Sequence, residues 1–187
     1  MLRSRWERLD DATRASAATP TREPTRLRTE VINALKRLAS QKQCAGTVVG
    51  WVTTGRTITF SASADARDTM GHPALRLIAL PRLIDGAVLS LSITLDGRGA
   101  LTSYSVGVTG VRLDGVGWYA RVDMGTEPEG EGPCGHPLLH CHVGVHPDES
   151  VQTRVPLPWL EPAEALEWLL ATIDPRHEPR AVERRGA

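Results

Sequence analysis

The sequence predicts an α+β fold: a single antiparallel sheet of about five to seven strands, with an N-terminal and a C-terminal helix packed on one face. Three observations lead there. Segments of helical period stand near both ends, at 25–42 and at Pro162–Ile173. Between them, short runs alternate apolar and polar residues, the period of a strand with one buried face. Brief turns containing Gly or Asp separate those runs, and short turns join antiparallel neighbours.

Residues 1–24 read as a flexible basic segment, rich in Thr, Ala, Arg and Pro and without a sustained period. Behind Pro24, a start signal, Leu27, Val31, Leu35 and Leu38 recur at helical spacing. Past Cys44, runs at 47–53 and 57–63 flank Thr54, Gly55 and Arg56 as a hairpin. Residues 64–73 read as a loop, and 72–81 is apolar enough for either a short helix or a strand. Val88–Leu95 sets Leu89, Leu91, Ile93 and Leu95 against Ser90, Ser92 and Thr94. The turn at 96–99 leads back into 100–108, and Asp114 with Gly115 turns the chain into 116–124. There Val116, Trp118, Ala120, Val122 and Met124 share one face, and Tyr119, Arg121 and Asp123 share the other.

An acidic Gly/Pro-rich loop at 125–135 separates that strand from one at 138–145, and a further strand reads at 151–157. Pro162 at the first helical position and Glu164 in the first turn open the last helix. Leu166, Leu169, Leu170 and Ile173 make its apolar stripe, and Asp174 before Pro175 ends it. The chain thus divides into a basic segment 1–24, one α+β domain at 25–175 and a polar tail at 176–187.

Composition excludes some classes. With 187 residues, 41% hydrophobic and 24% charged, the chain is an ordinary globular one with enough length for a core. No stretch approaches the ~20 apolar residues that span a bilayer. The N-terminus lacks the apolar run of a secretory signal, so a cytoplasmic protein with reduced thiols is expected. Net charge is zero but uneven: residues 1–43 hold ten Lys and Arg against five Asp and Glu. Such a basic arm suits nucleic acid or an acidic partner, or is simply a solvated tail.

Chemistry concentrates between Cys134 and His146, which hold four of the six histidines and two of the three cysteines. The histidines at 136, 140, 142 and 146 share one strand face, while Leu139, Cys141, Val143 and Val145 share the other. Adjacent residues on one strand face lie ~6.5–7 Å apart at Cα. His140 and His142 can therefore converge on one ion, zinc above all, with a third ligand from His136, His146 or Cys134. Asp123 and Asp148 are candidates for a fourth. If 116–124 pairs antiparallel with 138–145, then Tyr119, Arg121, Asp123, His140 and His142 share an open polar patch. That set suits metal-free acid–base cleavage of a phosphodiester. One His takes the proton from a ribose 2′-hydroxyl, and the second His or Tyr119 protonates the leaving oxygen. Arg121 stabilises the phosphorane. The plainer reading is a His-rich polar strand face beside a surface Arg121–Asp123 pair worth at most ~1 kcal/mol.

Several signatures are missing. There is no C-x-x-C, no H-E-x-x-H, no Walker loop and no dinucleotide-binding glycine motif. Gly144 stands where a histidine-triad hydrolase needs its third alternating His.

Arg121-Val-Asp123, the acidic loop, His140-Cys-His142 and the closing Pro162–Ile173 helix resemble the second half of small α+β proteins of bacterial toxin–antitoxin loci, the TumE-type toxins. The resemblance covers about a third of the chain. It implies a small bacterial, defence- or toxin-associated protein acting on RNA.

Three function classes follow. The first is a binding module that engages a protein or nucleic-acid partner through the open face and the basic arm. The second is a His-dependent phosphodiesterase or RNase. The third is a metal-binding protein.

Overall fold

Alternating strands and two amphipathic segments give one antiparallel sheet with a helix from each end of the chain. The computed structural model describes residues 11–13, 15–16, 24–44, 49–54, 57–62, 66–67, 73–125, 138–146 and 153–177. The strands are β1 (Val49–Thr54), β2 (Thr57–Ala62), β3 (Ala66–Arg67), β4 (Pro73–Arg76), β5 (Val88–Leu95), β6 (Leu101–Val111), β7 (Gly117–Met124), β8 (Leu139–Gly144) and β9 (Thr153–Pro156). The helices are α1 (Pro24–Ser40) and α2 (Pro162–Ile173), the latter followed by a one-turn 3₁₀ helix, Pro175–His177.

Seven strands form one continuous antiparallel path in the order β1-β2-β5-β6-β7-β8-β9. The other two settle the region that the sequence left ambiguous: β4 is a strand, paired with the short β3 on one side and with β5 on the other. The first half of β5 thus pairs with β4 and the second half with β2, along the same edge.

The core lies on the helix side of the sheet. Leu27, Val31, Ala34, Leu35 and Leu38 of α1 are buried. With Leu166, Leu169, Leu170 and Ile173 of α2, they join Val106, Val108, Ala120, Val122, Met124, Leu139 and Cys141 in one cluster. Each fully buried Leu, Ile or Val stabilises by ~1.5–3 kcal/mol relative to exposure. The start of α2 follows its sequence signals. Pro162 is its first residue, and the Glu164 carboxylate accepts a 2.8 Å bond from the backbone N–H of Glu161. Tyr104 anchors that start to the sheet, its hydroxyl donating to the Leu160 carbonyl at 3.0 Å.

Within 1–24, residues 11–13 and 15–16 are helical and Thr13 is buried. At the other end, the residues read as the start of a polar tail belong to the fold. His177 is buried and its Nε2 lies 2.7 Å from Gln43 Oε1.

Candidate metal centre

The face of the sheet opposite the helices carries the polar residues of β7 and β8, and the register brings them together. Arg121 pairs with His142 and Asp123 with His140 across the β7–β8 ladder. On the other side of β7, Ser105 stands opposite Asp123 and Gly107 opposite Arg121. Gly107 keeps the space that the Arg121 stem crosses. A Cβ there would sit 3.3 Å from Arg121 Cγ and 3.2 Å from Ser90 Oγ.

The expected open patch is closed. His140, His142 and Tyr119 are each 3% exposed. The side chains of Asp123 and Arg121 are 17% and 33% exposed. The Arg121–Asp123 pair is therefore partly buried, not a surface ion pair. Strand alternation assigns a side chain to a face, but it carries no information about what screens that face from water.

At the centre, His140 Nε2 lies 2.8 Å from His142 Nε2, and His142 Nε2 lies 3.2 Å from Asp123 Oδ2. The ligand atoms of all three residues fall within 4.8 Å of one another. Arg121 Nε donates to the same Asp123 Oδ2 at 2.5 Å, and the guanidinium carbon lies 5.8 Å from the Tyr119 ring centroid. Burial works against the Asp123 carboxylate, but hydrogen bonds from His142 and Ser105 and the charge of Arg121 outweigh it. Its pKa is held below the ordinary value, so it is ionised at neutral pH.

A neutral imidazole carries one N–H, and His142 Nε2 has two neighbours that accept. If that nitrogen is protonated, its hydrogen serves both Asp123 and the His140 lone pair. If it is not, His140 Nε2 carries the hydrogen and donates to the His142 Nε2 lone pair. A single N–H between the two rings accounts for the 2.8 Å contact, and a metal ion in its place would be held by the same atoms.

The residues fit a metal. Zinc bonds of ~2.0–2.1 Å at tetrahedral angles place donors about 3.3 Å apart. The His142–Asp123 spacing of 3.2 Å already matches, and the two imidazoles at 2.8 Å need to part by about half an ångström. Among the described residues, His142 Nδ1 is buried without a hydrogen-bond partner.

Of the other residues that the sequence put forward as ligands, His146 is exposed beyond the end of β8 and stands outside this cluster. Cys134, His136 and Asp148 lie outside the described residues. Cys141 faces the core side, and its thiol donates to the His142 carbonyl at 3.4 Å.

A second polar cluster escaped the sequence reading. The buried Gln43 donates through Nε2 to Asp174 Oδ2 at 2.7 Å and accepts from His177 Nε2 at 2.7 Å. Arg176 clasps Asp174 through Nε and Nη2. No local pattern pointed to it, since Gln43 and Asp174 are 131 residues apart.

No helix among the described residues is long and apolar enough to cross a membrane. No protein-family model, no curated protein and no solved structure matches the chain.

Proposed function

We propose that this protein binds a divalent metal of the zinc class through His140, His142 and Asp123. The observation that carries this reading is the convergence of the buried His140 and His142 nitrogens and the partly buried Asp123 carboxylate within 4.8 Å of one another. Two imidazoles and a carboxylate suit zinc and its neighbours better than magnesium or calcium, which prefer all-oxygen shells. Three protein ligands rather than four is the count of centres that keep a position for a further ligand. Burial of both imidazoles favours a small ligand that enters over a protein or nucleic-acid partner docking across an open face.

A second reading rests on the same 2.8 Å contact between imidazoles. Two rings sharing a proton beside Arg121 can act as acid and base on a phosphodiester without metal. The toxin–antitoxin resemblance would make RNA its substrate.

Elemental analysis of untagged protein after zinc loading separates the two. About one zinc per chain, lost in the His140→Ala/His142→Ala double variant, supports the metal reading. Metal-free protein that cleaves RNA, indifferent to chelator and dead in the double variant, replaces it with the second.

A further inference from the structure

Arg121 contacts the His140–His142–Asp123 cluster through Asp123, and only part of its guanidinium is used. Nε is committed to Asp123 Oδ2 at 2.5 Å. Nη1 and Nη2 make no hydrogen bond among the described residues. The guanidinium is nevertheless fixed on two sides, by the Asp123 carboxylate and by the Tyr119 ring at 5.8 Å. It is also the most exposed of the five side chains, at 33%, and so links the buried donors to solvent.

Resting on the metal reading above, we propose that Arg121 is the oxyanion-recognition arm of this site. A small ligand bearing a phosphate or carboxylate group would bind with its oxygens on Nη1 and Nη2, next to the metal position. The free edge of a guanidinium presents parallel N–H bonds that match two oxygens of one oxyanion. The orientation is set before binding, so little side-chain freedom is lost when the ligand arrives.

Charge points the same way. Arg121 and Asp123 cancel, and neutral imidazoles add nothing. A divalent ion would leave the centre two positive charges in excess, which a carboxylate offsets in part and a doubly charged phosphate in full. Oxyanion and metal must then favour one another, since coupling between two sites is reciprocal.

The test uses zinc-loaded protein freed of excess metal and titrated calorimetrically with inorganic phosphate and, separately, with acetate. Wild type, Arg121→Lys and Arg121→Gln are compared, with zinc content measured on every sample. The expected result is oxyanion binding by wild type that weakens about tenfold or more in both variants at full zinc content. Lysine keeps the charge but not the fork, so its loss of affinity separates recognition from simple attraction. Preference for phosphate or for acetate tells which class of ligand the site takes. Equal affinity in all three proteins, or no oxyanion binding by zinc-loaded wild type, overturns the proposal. Loss of zinc from both variants also overturns it, because Arg121 would then only position Asp123. Wild type that takes up no zinc sinks the metal reading itself, an outcome that the zinc measurement identifies separately.

Discussion

Asp123 is the register partner of His140, yet its carboxylate reaches diagonally to His142, with Oδ2 3.2 Å from Nε2. That diagonal leaves His140 Nε2 facing the other imidazole rather than the carboxylate. Asp123 Oδ2 consequently serves His142 and Arg121 together.

Replacing Asp123 with Asn keeps the shape and removes the charge. Arg121 and His142 both lose an ionised acceptor, so metal-free Asp123→Asn should be less stable by about 1–2 kcal/mol, discounted for the partial exposure of Arg121. Zinc affinity should fall by at least about tenfold. Urea unfolding checks the first and competition against a chromophoric chelator the second. A variant matching wild type in both would show that the carboxylate is a bystander.

Gly117 opens β7 where the strand passes close to the chain beyond β8. A Cβ at this position would run into the Val145 carbonyl oxygen, which is backbone and cannot swing aside. Gly117→Ala should therefore destabilise by ~1–3 kcal/mol. Gly125→Ala is the control, because nothing lies within 4 Å of its added Cβ. Thermal melts of the two variants should differ clearly, and a Gly117→Ala protein as stable as the control would contradict the packing described.

Two groups of the Gln43 cluster titrate in the same sense. Hydrogen bonds from the Arg176 side chain, against opposition from burial, hold the Asp174 carboxyl well below its ordinary 3.8. Burial, helped by the positive charges of Arg176 and Arg37, lowers His177 from its ordinary 6.5 despite the pull of Asp174. A lowered carboxylate contributes stability above its unfolded value and loses it as pH falls towards the folded value. A lowered imidazole behaves likewise, because the folded state prefers the neutral ring. Its contribution is complete above 6.5 and declines on acidification. The melting temperature should therefore drop between about pH 7 and 5, and drop less in His177→Asn. Identical slopes in the two proteins would refute the assignment to His177.

Cys141 should be inert in the native state. Burial, reinforced by the negative charge of Asp123, pushes its thiol up to about 11. Alkylation by iodoacetamide near pH ~8 should spare this residue until the protein is unfolded, as peptide mass spectrometry would reveal. Rapid native labelling of Cys141 would mean that the face it packs against opens easily.

Much of this architecture was legible in the sequence, and the parts that were not share a cause. Leu89, Leu91, Ile93 and Leu95 announce β5 because one face is fully buried, and period two survives translation into structure. The Pro162 start and the Asp174 stop of α2 are local chemistry, so they too were readable. The facing of Arg121 with His142 followed from two alternations and one antiparallel loop. Burial of those side chains did not follow, because the periodicity of a strand is blind to what lies across it. The Gln43–Asp174–His177 cluster was invisible for a related reason: each member looks ordinary among its neighbours, and only the packing of α1 beside α2 gives it meaning.

That cluster also has a kinetic meaning. Gln43 binds the chain just past β4 through its backbone, its carbonyl accepting from the Ile78 N–H at 2.9 Å, while its side chain holds Asp174 at the end of α2. The two chain segments are separated by nearly the whole sheet, and closing so long a loop early would be entropically unfavourable. The contact belongs after the folding barrier, when the strands between have already paired. Weakening it, as Gln43→Ala would, leaves refolding nearly as fast and makes the native protein come apart sooner. Gln43→Ala is thus expected to shorten the lifetime of the folded molecule more than it slows its formation.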